Sequence, residues 1–216
     1  MNGVGALLTS MLAAVAPGAE GNTMTKTKTL EVVIIHGSYG SPNENWFPWL
    51  ADEVRKAGHR AVVPTFPTPE GQTLDTWLDR FKKEVGPVRS DMVLVGHSLG
   101  AGFILNLLER SDEPVAGSFL VSGFLGKLGL PDFDAVNETF VFREFDWERV
   151  RRHAGAVHVY HSDDDPYVPL GKGRDLAQHL GVELFVVHKA GHINAAAGFR
   201  TFPQLLTDLK ALLERR

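Results

Sequence analysis

Apolar residues along this chain fall into two kinds of block. Short, nearly continuous apolar runs at 30–36, 60–65, 92–96, 117–122, 157–161 and 183–188 predict six strands, and the unbroken ones have the composition of strands covered on both faces. Between them, apolar positions recur at helical spacing. Trp46, Leu50 and Val54 mark one helix ended by Gly58, and Leu74, Trp77, Leu78, Phe81 and Val85 mark a second ended by Gly86-Pro87. Phe103, Ile104, Leu107 and Leu108 mark a third, and Phe202, Leu205, Leu206, Leu209, Leu212 and Leu213 the last. Strands alternating with helices predict an α/β fold: a doubly wound, mostly parallel sheet of six strands with helices on both faces, whose reactive groups gather at the carboxyl ends of the strands.

The run at 92–96 leads into Gly96-His97-Ser98-Leu99-Gly100, and the helical spacing follows at once. A serine on so tight a strand-to-helix turn needs glycine two residues to either side, because side chains there would collide. Ser98 is therefore the candidate nucleophile. A neutral serine needs a base within reach and a carboxylate to hold that base, and the chain order Ser, Asp, His is the one used by α/β-hydrolases. The fifth run ends in Asp163-Asp164-Asp165-Pro166, where Asp165 is favoured because the prolines fix the turn just past it, with Asp163 the next candidate. The sixth run is followed by Gly191-His192, which makes His192 the candidate base. His36, His97, His161 and His188 also stand at strand ends and compete with it.

The first run exits into His36-Gly37-Ser38-Tyr39-Gly40, a small-residue loop whose N–H groups can approach a ligand. The expected oxyanion donors are the backbone N–H groups of Leu99 and Ser38, with Gly37 the alternative to Ser38. Phosphate-binding glycine patterns are missing. His161 beside three acids lacks a second histidine at ligand spacing, so neither a metal nor a cofactor is expected.

Composition narrows the partners. The chain has 216 residues, 44% hydrophobic and 22% charged, with a net charge of −4. Nothing in that balance favours nucleic acid. Cysteine is absent, which excludes a thiol nucleophile and disulfides. Residues 1–24 read as a leader, disordered or an over-long start. The apolar stretch at 6–16 is too short for a membrane span and lacks the basic flank of an export signal. A cytoplasmic protein is expected, export being the alternative, with 25–216 forming a single domain.

Several segments together resemble a family: His36-Gly37-Ser38, Asn43-Glu44-Asn45-Trp46-Phe47-Pro48-Trp49-Leu50, Gly96-His97-Ser98-Leu99-Gly100, Leu120-Val121-Ser122-Gly123-Phe124, Asp165-Pro166 and Gly191-His192. From about Leu30 onward the chain is similar to the small serine hydrolases related to retinoblastoma-binding protein 9 and its bacterial YdeN-like members. The resemblance implies a compact α/β-hydrolase with a minimal cap, and triad roles for Ser98, Asp165 and His192.

One insertion can roof the site. Residues 123–145 carry Phe124, Leu125, Leu128, Leu130, Phe133, Phe140, Phe142 and Phe145, which either line an acyl pocket or pack as a loop and short helix on the core. Trp46, Phe47 and Phe124 are the candidate pocket residues. The expected partner is a small-molecule ester substrate, with thioesters or small amides also open. A non-catalytic binding module on a retained hydrolase scaffold is the competing reading.

Overall fold

The computed structural model describes Met1 and residues 28–215. The expected leader lies outside the described residues apart from Met1. Six strands form one parallel sheet: β1 (Glu31–Ile35), β2 (Arg60–Val62), β3 (Met92–His97), β4 (Gly117–Val121), β5 (Ala156–Ser162) and β6 (Leu184–Val187), in the order β2-β1-β3-β4-β5-β6. The helices are α1 (Phe47–Lys56), α2 (Leu74–Glu84), α3 (Leu99–Arg110), α4 (Pro131–Val141), α5 (Trp147–His153), α6 (Leu170–Leu180) and α7 (Pro203–Leu213).

Handedness decides which helix covers which face. The step from β1 to β2 runs one way across the sheet and every later step runs the other, so right-handed crossovers must place their helices on opposite faces. Val32, Ile34, Val93, Val95, Phe119 and Val121 accordingly pack with Phe47, Leu50 and Val54 of α1 and Leu205 and Leu209 of α7. Val33, Ile35, Leu94, Leu120 and Val159, the alternate strand residues, pack with α2 to α6. The direction reverses between β1 and β3, and a crevice opens outside the strand ends at such a switch point. Ser38 and Ser98 leave those two strands.

The strands at the sheet margins differ from the sequence expectation. Pairing of β2 stops at Val62, short of Thr65, and β6 leaves Phe185 46% exposed, because an edge strand is covered on fewer sides than β1, β3 and β4. Helix α6 was hidden by Gly171 and Gly173, which lower helix propensity. Gly173 has a packing reason: a Cβ there would sit 2.6 Å from the buried His161 ring.

Candidate functional site

The turn at Ser98 owes its shape to three glycines. Ser98 adopts φ 55 and ψ −122 at the junction of β3 and α3, a conformation that costs a non-glycine residue on the order of 1–3 kcal/mol. A Cβ at Gly96 would lie 2.6 Å from the Gly100 carbonyl, and one at Gly100 would strike the Ile35 and His36 carbonyls at the end of β1. At Gly37 a Cβ would meet the Ser98 Cβ at 2.8 Å, so only a glycine lets the loop after β1 lie against this serine. The N–H groups of Ser38 and Leu99 make no hydrogen bond among the described residues. Two free donors therefore stand near one hydroxyl.

His192 and Asp165 meet from the ends of the last two strands. The His192 Nδ1 lies 2.7 Å from Asp165 Oδ2, with the two side chains 10% and 0% exposed. The other carboxylate oxygen accepts from the N–H groups of Tyr167 at 2.9 Å and Val168 at 3.0 Å, so the turn after the acid run aims Oδ2 at the imidazole. Burial pushes the Asp165 carboxyl up, but the His192 hydrogen bond and charge together with those two N–H groups hold it below the usual carboxylate range.

Asp163 and Asp164 serve the same loop differently. Asp163 accepts from the Lys189 N–H at 2.8 Å and pairs with His188 at 2.6 Å. Asp164 accepts from the Gly191 N–H at 2.8 Å and the Ser162 hydroxyl at 2.7 Å. Both tether the segment that carries His192.

The competing histidines are committed elsewhere. His36 donates from Nδ1 to the Gly37 carbonyl at 2.8 Å, and its Nε2 accepts from the Phe66 N–H at 3.1 Å; burial lowers its pKa. Its neutral ring holds the loop bearing Ser38. His97 faces the His192 carbonyl through Nε2 at 2.8 Å, and burial, with the neighbouring His192, pushes its pKa down to about 3. His161 donates to the Val168 carbonyl at 2.9 Å, and its Nε2 is 4.0 Å from Asp165 Oδ2. His188 stands exposed against Asp163.

Ser98 and His192 open onto one cavity of about 200 Å³. Its walls include Gly37, Ser38, Phe47, Phe124, Leu128, Phe133, Asn137, Tyr167 and Val168. Trp46 does not line it: the indole is fully buried and donates to the Ile193 carbonyl at 3.0 Å, steadying the residue after His192. Residues 123–145 divide between both expected roles. Phe140, Val141 and Phe145 join the core, whereas Leu128, Phe133 and Asn137 face the cavity, and Phe124 does both. Among the described residues no cluster of histidine and acidic side chains is arranged to hold a metal ion, and no helix is long and apolar enough to cross a membrane.

A family model described as serine hydrolase matches residues 32–211. The chain belongs to the serine hydrolase family. This serine hydrolase is 34% identical over 177 residues to YdeN of Bacillus subtilis (strain 168), covering 81% of this chain and 92% of that one. With the serine hydrolase RBBP9 of Rattus norvegicus it shares 23% identity over 186 residues, covering 85% and 95%. The crystal structure of the B. subtilis ydeN product superposes with a TM-score of 0.79 at 32% identity, covering 86% of this chain and all of that one. Family and fold together support a hydrolase, and the fold is that of the α/β-hydrolases.

Asn45, Asn137 and Gln72 escaped sequence reasoning. Asn45 accepts from the Ala195 N–H at 2.8 Å and so anchors the far side of the His192 loop. The available signal for Asn137 was its position: it sits with Phe133, Phe140 and Val141 on one stripe of α4, where a polar residue is out of pattern.

Proposed function

We propose that this protein cleaves small or medium carboxylic esters through a seryl acyl-enzyme, with 25–216 acting as one catalytic domain. Ser98 Oγ attacks the acyl carbon while His192 takes its proton, and Asp165 holds the imidazole in the accepting tautomer. The Leu99 and Ser38 N–H groups receive the oxyanion as it forms. His192 then returns the proton to the departing alcohol, and a water molecule, deprotonated by His192, releases the acid. The observation that carries this reading is the buried Asp165–His192 pair opening onto the same cavity as a strained serine.

Cavity size supports the substrate range. About 200 Å³ is below the roughly 300–1,000 Å³ common for drug-sized ligands, so short acyl groups fit and long chains protrude. Each added methylene that finds contact gains up to about 0.8 kcal/mol, and the gain stops once the chain leaves the cavity. The test is labelling by a fluorophosphonate followed by kcat/KM across p-nitrophenyl esters of increasing acyl length. Stoichiometric modification of Ser98 and a maximum at short or medium acyl groups are expected. An unlabelled protein, or a rise continuing through long-chain esters, would overturn the proposal in its first or second half.

A further inference from the structure

Asn137 is 1% exposed, yet only one end of its amide is satisfied. Its Oδ1 accepts from the Ser38 hydroxyl at 2.6 Å and from Gln72 Nε2 at 3.2 Å. Gln72 cannot be turned around. Its Nε2 donates to the Ser38 hydroxyl at 2.8 Å and the Val136 carbonyl at 3.0 Å, and its Oε1 accepts from the Thr68 hydroxyl at 2.5 Å. Ser38 thus accepts from Gln72 and turns its one hydrogen to Asn137, whose carbonyl is fixed toward it with the Gln72 amide beside.

The Asn137 Nδ2 is left with two N–H groups and no hydrogen-bond partner among the described residues. It is not sealed in the core either, because the single fully buried, unpartnered side-chain polar atom among those residues is His161 Nδ1. The space that Asn137 borders is the cavity of Ser98, where its neighbours on the roof are Phe124, Leu128 and Phe133. Two unpaired N–H donors on a roof whose other side chains are apolar penalise a group bound beneath it that cannot accept from them.

We propose that Asn137 is a specificity-determining residue, and that the acyl group taken under the roof carries a neutral oxygen acceptor, such as an ether, hydroxyl or keto oxygen, within reach of its amide. The proposal rests on the reading of Ser98 as nucleophile. Charge narrows the acceptor: no lysine or arginine lines the cavity and Glu44 does, which disfavours a carboxylate. The Ser38 bond also joins this amide to the loop beside Ser98, so the same side chain that meets the acyl group braces an expected oxyanion donor.

The experiment compares substrates differing by one oxygen for one methylene. p-Nitrophenyl 3-methoxypropanoate is set against the pentanoate, and 2-methoxyethyl against butyl phosphonofluoridate, whose fluoride is displaced by Ser98. Wild type and Asn137→Asp, which keeps both accepted bonds and loses both donors, are assayed on each pair, with uncharged Asn137→Ala as the second variant. Taking wild type over variant cancels intrinsic reactivity. That ratio is expected to be at least tenfold larger for the oxygen-bearing member in both assays. Equal ratios for the two members, with Ser98 still phosphonylated, would overturn this inference alone. A wild type inert to both phosphonofluoridates would overturn the nucleophile assignment and this inference with it.

Discussion

The strand ends beneath the cavity and the 123–145 segment above it bring side chains to the same space by different means. Beneath, position follows from backbone. Ser98 is held at φ 55 by glycines with no room for a Cβ, Asp165 is clamped by two N–H groups, and His192 rides a loop tethered by Asp163 and Asp164. Above, position follows from one short helix, α4, whose stripe buries Phe140 and Val141 and presents Phe133 and Asn137 to the cavity. On the proposed reading the lower part sets which bond is attacked, and the upper part touches it through the Ser38–Asn137 bond, so the rest of the roof can change without disturbing it. Substitutions below should therefore cost every substrate alike, and substitutions above should reorder them.

The largest effect is expected from Ser98→Ala. Losing the nucleophile removes the covalent route, and triad serines elsewhere are worth about 10⁶-fold in kcat. Loss should be equal across acyl lengths, with the melting temperature little changed, since alanine inherits the same backbone strain. Residual turnover that still varied with acyl length would show that another group attacks.

Next comes Asp165→Asn, for which a fall of about 10⁴-fold is expected because an amide presents the wrong partner to His192 Nδ1. Asp163→Asn and Asp164→Asn should each lose less than about tenfold, since an asparagine Oδ1 can still accept from Lys189 or Gly191. Kinetics on all three variants at one pH check the ranking. A severe Asp163→Asn would mean that the loop tether outweighs the carboxylate on the imidazole.

The contrast between the two regions also accounts for what could be read in the sequence. Gly37, Gly96 and Gly100 leave a compositional trace because sterics admit no other residue, and strand-end placement then ordered Ser98, Asp165 and His192 along the chain. The sheet was equally legible where it is buried on both faces. The ends of the edge strands, α6 with its two glycines, and which residues of 123–145 take which of the two expected roles were not, because each depends on which neighbour the chain meets after folding. Trp46 illustrates the same limit: its size suggested a pocket wall, but its indole N–H is used 147 residues away to hold the Ile193 carbonyl. Asn137 is legible only once Ser38 and Gln72 are seen to occupy its carbonyl.

A smaller effect, and one that should depend on substrate, is expected on the roof. The Phe133 ring packs edge-on to Tyr39 at 5.2 Å and near Tyr167 at 5.9 Å at the cavity wall. Phe133→Ala should lower kcat/KM for a butanoate or pentanoate ester by about tenfold, the worth of roughly two methylene contacts, and for an acetate ester by clearly less. A uniform loss across the series would place Phe133 with the strand-end residues in effect, and the division between the two regions would fail.

The smallest effect should appear in stability rather than turnover, and it concerns His97 beneath the site. Its ring is buried against the His192 carbonyl and its pKa is pushed down to about 3, whereas an unfolded histidine titrates near about 6.5. Between those values the unfolded chain takes a proton that the folded chain refuses, so folding stability falls as pH drops from about 6.5 toward 3. Above about 6.5 the two states bind alike at this position and the contribution is complete. His97→Gln retains an N–H donor for the His192 carbonyl but cannot titrate. Its melting temperature should therefore fall less steeply with acid than that of the wild type, even if it starts lower at pH 8. Parallel curves for the two proteins across that range would mean that His97 accepts its proton in the folded state, and that the ring beneath Ser98 is less sealed than its neighbours make it.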